Sequence, residues 1–448
     1  MGSLLIIDSE ALYPVEAIKI ERWGTTRATT RWAVRAAAIE PLWFLENGQV
    51  DLHLAVSAPE VEDGQRQAAP ARPRPRLGEV AALFLRLGLT AFGGPAAHIA
   101  MMEDEAVVRR GWLTRERFLD LLGIANLLPG PSSSEMAIYL GYVRAGWPGL
   151  VLGGACFILP AALLVGVIAH MYARFGSLPE MGGVLYGIRP VVVAIVVQAV
   201  WRLGRTAIKD SASLAVGVIA AALSLGGLPP LAVLLIAATA IALIRGIKGG
   251  MNGVAALLPI ASSLRPESAG GGVALTSLFV VFLKFGAVVF GSGYVLLVFL
   301  RADLVERLHW LTEQQLLDAV AVGQVTPGPV FTTATFIGYL LAGWTGAAVA
   351  TVAVFLPAFL LVAVSGPLMP TLRKSSLAAS LLDGVTVGSI ALMAVVAWQF
   401  GHAAIVDAPS AVLAAGSIAL LLFYQPNSTW IVIGGAGLGF LTGILRGH

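Results

Sequence analysis

The chain contains the same pattern twice, and the second copy begins about 198 residues after the first. Both copies lie in strongly apolar sequence and place the same glycines, prolines and aromatic residues in the same order. Many secondary transporters are built from a duplicated polytopic unit, so the repeat predicts a transporter. The matched positions are Phe92 and Phe290, Trp112 and Trp310, Asp120 and Asp318, the Pro-Gly-Pro runs 129–131 and 327–329, and, after one deleted residue, Tyr142 and Tyr339, Trp147 and Trp344, Pro160 and Pro357, and Trp201 and Trp398.

Composition places this repeat in a membrane. Of the 448 residues, 57% are hydrophobic and 12% are charged, about half of the roughly 25% charge typical of a soluble domain. Residues 1–78 hold 19 of the 55 acidic and basic side chains, so a polar leader precedes an apolar body. The stretches 148–169, 183–201 and 345–365 are long enough to cross a hydrocarbon core of about 30 Å. These features predict an all-α polytopic membrane protein with two homologous halves.

The chain divides into four parts. Residues 1–78 form an N-terminal extension of unknown function; it lacks the pattern of a signal peptide and ends in a Pro/Arg-rich linker. The repeats occupy 79–248 and 273–448 and are joined by a glycine-rich connection at 249–272. Each repeat contains six apolar segments. They are 79–102, 116–144, 148–170, 183–203, 211–226 and 229–245 in the first repeat, and 274–300, 314–341, 345–365, 378–400, 409–424 and 429–445 in the second.

Two apolar segments of the first repeat are interrupted by glycine and proline, at 93–95 and at 129–131. Proline removes a backbone donor and clashes with the preceding turn, and glycine permits irregular dihedral angles. The pieces on either side of the Pro-Gly-Pro are about 13 residues long, or roughly 20 Å of helix, which is too short to cross a bilayer. Each Pro-Gly-Pro therefore predicts a broken helix or the tip of a re-entrant hairpin, buried in protein or beside water.

The loop charges favour opposite orientations for the two repeats. Lysine and arginine accumulate in cytoplasmic loops. Arg202, Arg205 and Lys209 follow the segment that contains Trp201, whereas no lysine or arginine follows Trp398 before residue 410. This bias favours inverted-topology repeats, although Arg245, Lys248 and Arg265 would lie on the wrong side under strict inversion. The number of spans and of hairpins stays open at this point.

The two Pro-Gly-Pro runs are the first candidates for a binding site. The start of the helix that follows presents unpaired N–H groups and the positive end of the helix dipole, which together favour an anion. Hydroxyl groups occupy both first turns: Ser132, Ser133 and Ser134 in the first repeat and Thr332, Thr333 and Thr335 in the second. Neutral donors suit a tetrahedral oxyanion that must bind and then leave. The alternative is a pair of packing breaks capped by small polar residues.

The glycine-containing break near the start of each repeat has two interpretations, a role in binding and a role in packing. Gly93 and Gly94 are matched by Gly291 and Ser292. Such a break can place another half-helix terminus at a shared cavity, or it can allow close helix contacts through small residues. Asn126 and Gln324 precede the two Pro-Gly-Pro runs by one turn, where their amides could contact substrate or satisfy free carbonyl groups.

Ionisable residues inside apolar segments are functional candidates because burying them is costly. Arg86 aligns with Lys284, so a cation recurs in the same segment and the pair could balance a dianion; the alternative is snorkelling to the interface. Arg189 has no basic counterpart and could be a site cation or an interface anchor. Glu135 could carry a coupling proton or form a buried salt bridge with Arg86 or Arg189.

Other function classes find no support in the sequence. Neither a Ser/His/Asp set, a Cys/His pair nor a phosphate-binding loop is present, so we expect no enzyme and no cofactor. Cys156 is the sole cysteine, which rules out a disulfide framework or a cysteine-based metal site. Basic residues are dispersed along the chain and form no stripe for a nucleic acid.

At these residues the chain resembles the chromate ion transporter family, as a long two-domain member. The resemblance rests on Leu85, Gly88 and the run Phe92–Pro95, on Gly111–Thr114, on Leu128–Pro131 and Ile138–Gly141, and, more loosely, on Lys284–Gly286 and Thr326–Pro329. It covers about residues 79–446. It implies chromate efflux from a bacterial cytoplasm, sulfate as a structural mimic and halves of opposite topology. Many members carry Glu-Ala-Gln-Gln after the first Pro-Gly-Pro, where this chain has Ser132 to Glu135.

We therefore predict a multi-pass protein of the bacterial inner membrane that exports a divalent oxyanion, with chromate as the expected substrate. We expect no metal, and the sequence leaves open whether the protein forms a homo-oligomer. The rivals are an importer or exchanger of sulfate or another small anion, and a membrane scaffold whose breaks serve packing alone. The predicted substrate-binding residues are Arg86, Gly93, Gly94, Asn126, Pro129, Gly130, Pro131, Ser132, Ser133, Lys284, Gly291, Gln324, Pro327, Gly328, Pro329, Thr332 and Thr333, with Glu135 and Arg189 as coupling or ion-pair residues.

Overall fold

The computed structural model describes residues 18–26, 29–36, 43–46, 49–52, 76–176, 179–249, 273–290, 293–372, 376–424 and 426–445. The chain forms two compact units, Met1–Arg72 and Pro73–His448. The first unit contains an antiparallel sheet in the order β1-β2-β3-β4, which the sequence did not predict. Its strands are β1 Ile18–Thr26, β2 Thr29–Ala36, β3 Trp43–Glu46 and β4 Gln49–Leu52.

The described residues of the second unit are helical, which confirms the predicted fold class for the two repeats. Each predicted apolar segment corresponds to a helix or to a pair of helices separated by the predicted break. The helices are α1 Leu77–Thr90, α2 Gly94–Glu103, α3 Arg115–Ala125, α4 Ser132–Phe175, α5 Pro179–Ala207, α6 Ser211–Leu225, α7 Pro230–Gly249, α8 Leu275–Val288, α9 Val295–Leu300, α10 Glu313–Val325, α11 Thr333–Leu372, α12 Ser376–Ala404, α13 Ala408–Phe423 and α14 Ser428–Leu445, with π-helical turns at Asp104–Arg109 and Arg301–Arg307 and a 3-10 turn at Val330–Thr332.

The repeated Trp-Leu-Thr sequence marks the start of a helix in each half. The hydroxyl of Thr114 accepts a hydrogen bond from the backbone N–H of Arg117 at the start of α3. Thr312 accepts one from Gln315 at the start of α10, and the Gln315 side chain completes a capping box. A threonine at this position satisfies N–H groups that have no partner within the helix, which gives the repeated motif a structural role.

Helices α4 and α11 each contain a sharp reversal. In α4 it lies at Ala145 and Gly146, where the glycine has a φ of 66°; in α11 it lies at Ala342 and Gly343. After the reversal in α4 the chain returns along itself, so that a Cβ on Gly153 would lie 2.6 Å from the carbonyl oxygen of Ala137. Residues 132–144 are therefore a short helix packed against a longer one, and the Pro-Gly-Pro turn joins two short helices, as predicted.

Four stretches are long and apolar enough to cross a membrane, and the described helices include five shorter apolar ones. Two of the four contain the reversals of α4 and α11, so the crossing portion of each is the part after its kink. The chain is thus a multi-pass membrane protein. The four stretches are Ser132–Phe175, Met181–Ala207, Val330–Ser365 and Ala379–Ala404.

The last two helices of each repeat pack against the other repeat. Helix α5 packs against α13 and α14 of the second repeat, and its counterpart α12 packs against α6 and α7 of the first. Glycines allow the close approach: a Cβ on Gly187 of α5 would lie 2.7 Å from the Cα of Gly439, and one on Gly384 of α12 would lie 2.6 Å from the Cα of Ala238. Each repeat therefore completes its fold on the other.

Helices α5 and α12, which are equivalent in the repeat, run antiparallel to each other. Lys209 follows the end of α5 and lies 3.5 Å from Asp383 near the start of α12. Earlier on α5, Gly204 faces Ile390, which is further along α12. Helices α4 and α11 show the same relation beyond their kinks, because Gly154 meets Phe359 whereas Gly166, further along α4, meets Trp344, which is earlier on α11.

Candidate functional site

The Pro-Gly-Pro turn of each repeat is hydrogen-bonded to the glycine-containing break of the other. The amide N–H of Gly130 donates to the carbonyl of Val289 at 2.7 Å, and that of Gly328 donates to the carbonyl of Ala91 at 3.0 Å. Gly130 and Gly328 are equivalent in the repeat, and so are Ala91 and Val289. These two glycine amides therefore hold the repeats together, and they are not among the free donors that an anion would need.

A cavity of about 390 Å³ lies beside this junction. The breaks of both repeats line it, together with α5 and α12, so it is a feature that neither repeat could form alone. The polar lining residues are Asn126, Ser132, Gln198, Arg202, Thr206, Tyr294, Thr386 and Ser389. Gly93 and Pro95 contribute backbone and ring surface from the first break. Of the predicted site residues, the structure brings Gly93, Asn126 and Ser132 together here.

Arg202 is the one charged residue among the described residues that line this cavity. It is exposed and forms no ion pair with any residue that the structure describes. Because the lining that the structure describes contains no aspartate or glutamate, the guanidinium gives this lining a net positive charge. A cation without a carboxylate partner retains its attraction for a free anion, and its planar fork suits an oxyanion.

Two uncharged donors in the lining are also without a partner among the described residues. The side-chain amide of exposed Asn126 forms no hydrogen bond there, and the hydroxyl of buried Ser389 has none either. Buried polar groups normally have a hydrogen-bond partner. Free donors beside a cation therefore indicate a cavity suited to a polar, negatively charged ligand. Tyr294 donates its hydroxyl to Gln324 at 3.3 Å, which links that predicted residue to the cavity wall.

The two Pro-Gly-Pro helices contribute unequally. Ser132, the first residue of α4, lines the cavity, and Ser133 beside it is buried at 2% exposure. In the second repeat, Thr332 and Thr333 are fully buried and donate their hydroxyls to backbone carbonyls of Pro329 and Val330, both at 2.8 Å. Thr332 and Thr333 therefore bind their own backbone and do not line the cavity, whereas Ser132 does, so the site is asymmetric although the repeat is symmetric.

Arg86 and Lys284 lie in equivalent ion pairs. Arg86 pairs with Glu105, and Lys284 lies 2.7 Å from Asp303; both carboxylates belong to the π-helical turns. Burial alone would raise the pKa of Glu105, but hydrogen bonds from Arg86 and Arg110 outweigh it and hold that pKa below its ordinary value. Neither cation lines the cavity, so their predicted contact with substrate stays a prediction.

Arg189 joins the two repeats. Its guanidinium forms two hydrogen bonds of 2.9 Å with Asp318, and Tyr172 donates to the same carboxylate at 2.8 Å. Asp318 is 1% exposed and Arg189 is 25% exposed. Since Arg86 and Arg189 both have other partners, Glu135 forms neither of the salt bridges predicted for it. Arg189 does not line the cavity, so its predicted roles as a site cation or an interface anchor stay predictions.

The remaining predicted residues shape the turns. Gly94 begins α2, Pro131 caps α4 and Pro329 precedes the 3-10 turn. Pro129 forms an isolated bridge with Phe290, and Pro327 lies in the turn between α10 and Pro329. Gly291 and Ser292 lie outside the described residues.

The cation of the cavity is one that sequence reasoning missed. The sequence groups Arg202 with the loop charges that follow Trp201, yet Arg202 lies within α5. A signal was present: Gln198, Arg202 and Thr206 recur every four residues and so share one face of the helix. A polar stripe on an apolar helix could have indicated a cavity wall. Ser389 and Tyr294 carry no comparable signal, because their positions depend on the packing between repeats.

Comparisons with known proteins agree with this architecture. The sequence profile of the chromate transporter family matches residues 78–243 and 276–440. A chromate transport protein of Cupriavidus metallidurans is 35% identical over 374 residues, which cover 82% of this chain and 93% of the relative. A probable chromate transport protein of Synechococcus elongatus is 33% identical over 78% of this chain and 90% of its own length. A chromate transport protein of Pseudomonas aeruginosa is 30% identical over 84% and 94%.

No solved structure matches the chain. The family profile covers most of both repeats. The chain belongs to the chromate transporter family.

Proposed function

We propose that this protein exports chromate from the bacterial cytoplasm, using the cavity between the repeats as its anion site. The observation that carries the proposal is the lining itself: among the residues that the structure describes, it has one unpaired arginine, free amide and hydroxyl donors, and no carboxylate. The names of the relatives point to the same substrate. Sulfate has the same tetrahedral shape and charge, and we expect it to compete.

The donors in the cavity suit binding followed by release. Arg202 attracts a dianion and can bind two of its oxygens, while Asn126 and Ser389 supply neutral hydrogen bonds. A single unpaired cation leaves one negative charge of the dianion uncompensated, which favours exchange over tight retention. A volume of about 390 Å³ leaves room for an anion of this size with part of its hydration shell.

The position of the cavity supports export. Exposed Arg202 and Thr206 lie in the last turns of α5, so the cavity opens at that end of the helix. The same end carries Arg205 and Lys209, and clusters of this kind mark the cytoplasmic side. An inside-negative potential would then drive a dianion outward, at about 2.3 kcal/mol per charge per 100 mV.

We also infer that the repeats have inverted topology. The antiparallel course of α5 and α12, and of α4 and α11, supports this, because equivalent helices of inverted repeats run in opposite directions. Alternating access then follows from movement of one repeat relative to the other around a shared site. The hydrogen bonds of Gly130 and Gly328 would lie at the centre of that movement.

Transport of chromate into everted membrane vesicles tests the proposal. With a lumen-positive potential, wild-type vesicles are expected to accumulate chromate, and excess sulfate is expected to suppress the uptake. Arg202→Gln should reduce uptake at least tenfold at equal membrane abundance, because a hydrogen-bonded charge contributes about 1.5–3 kcal/mol. Arg205→Gln is the matched control: it removes the same charge three residues away, outside the cavity.

Two results would contradict the proposal in different ways. Wild-type uptake no greater than that of vesicles without the protein would remove chromate as substrate and favour a scaffold. Uptake that Arg202→Gln and Arg205→Gln reduce equally would leave chromate transport intact but move the site elsewhere.

A further inference from the structure

Glu135 is a buried carboxyl group that the anion site described above does not use. Its exposure is 0%, and neither carboxyl oxygen has a hydrogen-bond partner among the residues that the structure describes. Arg86 and Arg189, the salt-bridge partners that the sequence predicts for Glu135, are paired with Glu105 and Asp318. An ionised carboxylate without a cation or a donor is costly inside a protein, so this environment accommodates the neutral acid.

The carboxyl group of Glu135 packs on the turn that joins the repeats. A Cβ on Gly130 would lie 2.5 Å from the Oε1 atom of Glu135 and 3.6 Å from the Cβ of Ala358 on α11. The amide of Gly130 donates to Val289 across the junction. Glu135 therefore touches the segment that must rearrange if one repeat moves against the other.

The same residue is close to the cavity along its own helix. Ser132 lines the cavity, and positions i and i+3 are neighbours on a helix surface. The titratable group that interacts electrostatically with Glu135 is Tyr139, one turn further along α4, whose hydroxyl hydrogen-bonds to Ser365 of α11 at 2.5 Å. The Gly130 turn and Ala358 bring no charge to it.

Electrostatic repulsion links Glu135 to the anion site beside Ser132. An ionised Glu135 would repel a dianion bound near Ser132, whereas the protonated form would not. Binding of the anion and protonation of Glu135 therefore favour each other, and such a linkage is reciprocal. The reverse coupling, in which the anion binds while Glu135 loses its proton, would place like charges together in a poorly solvated region.

We propose that Glu135 carries one proton across the membrane together with each anion, an inference that rests on the proposed chromate export. Each cycle would then move one dianion and one proton, for a net charge of one instead of two. The proton returns to water from Glu135 after the anion has left and the turn at Gly130 has opened to the other side. Export remains downhill in the membrane potential, and it acquires a dependence on the proton gradient.

Reversal potentials in proteoliposomes of the full-length protein test this proposal, with chromate as the probe. For the wild type, a tenfold change in proton gradient is expected to shift the reversal potential as far as a tenfold change in chromate gradient. Glu135→Gln keeps the shape of the neutral acid but cannot release a proton. In that variant we expect the proton gradient to have no effect, and the shift for each tenfold change in chromate to be half that of the wild type.

Glu116→Gln serves as the control, because it removes an exposed carboxylate from the preceding helix and should behave like the wild type. A wild-type reversal potential independent of the proton gradient would overturn the proposal even if Glu135→Gln proved inactive. So would a proton dependence that persists in Glu135→Gln, as expected if the anion brings its own proton. Either result leaves chromate export standing, whereas absence of wild-type flux would overturn both proposals.

Discussion

The amide of Gly130 donates to the carbonyl of Val289, 2.7 Å away, and the repeat-related amide of Gly328 donates to Ala91. Residues from the two repeats thus meet through backbone atoms at two equivalent points. Backbone hydrogen bonds do not depend on side-chain identity, so the contact tolerates sequence divergence between the halves. It does require a chain that can adopt the geometry on both sides, and this explains why glycine occupies both positions.

Alanine at either glycine should therefore destabilise the junction. Gly130 has a φ of 140° and Gly328 a φ of 89°, and an added Cβ would lie 2.5 Å from Glu135 Oε1 or from the Cβ of Ala161. Strain at positive φ costs about 1–2 kcal/mol and overpacking about 1–3 kcal/mol. We expect Gly130→Ala and Gly328→Ala to lower the thermal midpoint in detergent and to reduce transport.

Gly227→Ala provides the comparison for that experiment. Its φ is 86°, but no heavy atom lies within 4 Å of the added Cβ. It should show the backbone strain alone and keep full transport. Equal losses in all three variants would mean that the junction has no special role.

Removal of Arg189 should destabilise the contact between repeats. Arg189→Gln leaves the carboxylate of Asp318 buried with Tyr172 as its remaining partner. Breaking a buried pair costs about 3–5 kcal/mol, and we expect the lower end because Arg189 is 25% exposed. Unfolding titrations with a denaturing detergent measure the change. Arg189→Gln combined with Asp318→Asn should recover part of the loss; no recovery would mean that the pair acts through another contact.

The ion pairs at Arg86 and Lys284 should prove structural. If Arg86 serves to hold Glu105, Arg86→Gln should reduce membrane abundance, and Arg86→Lys, which restores a positive charge beside Glu105, should bring the abundance back. The surviving protein should keep its apparent affinity for chromate, measured as the concentration for half-maximal uptake. Restored abundance with a tenfold or greater loss of affinity would instead favour the contact with substrate predicted from the sequence.

Asn126 should contribute directly to anion binding. Asn126→Asp places a carboxylate in the cavity with Arg202, and we expect chromate uptake to fall at least tenfold through repulsion and pairing of the arginine. Asn126→Ala removes one donor to a charged ligand, for a loss of about tenfold. Asn126→Ser keeps a hydroxyl donor and should retain more uptake than alanine. Equal uptake in all three variants at matched abundance would remove Asn126 from the site.

The sequence predicted the elements of the fold well and the site only in part. Periodic apolar segments and the glycine and proline breaks depend on local chemistry, so each break appeared where a proline or a glycine interrupts a run. The pairing of Arg86 with Glu105 could also have been predicted from the sequence, because Lys284 and Asp303 repeat the same two charges at the same spacing.

The parts that escaped prediction depend on contacts distant in sequence. Nothing near Ser389 indicates that its buried hydroxyl faces a cavity shared with Asn126. The symmetry of the sequence also suggested equal contributions from the two Pro-Gly-Pro helices. In the structure, the hydroxyls of Thr332 and Thr333 donate hydrogen bonds to nearby backbone carbonyls. Residue types alone do not show whether a hydroxyl binds the backbone or faces a cavity.

The exchange of helices between repeats has a consequence for biosynthesis. When the ribosome has completed the first repeat, α5 is in the bilayer while its partners α13 and α14 are still to be made. Helices α6 and α7 are likewise made before their partner α12. The nascent first half therefore holds exposed glycine faces, such as that of Gly187, until the residues from Ala408 onward have been made. A stop codon late in the gene would thus leave a chain that has inserted but has no completed fold, and quality-control proteases would be expected to remove it.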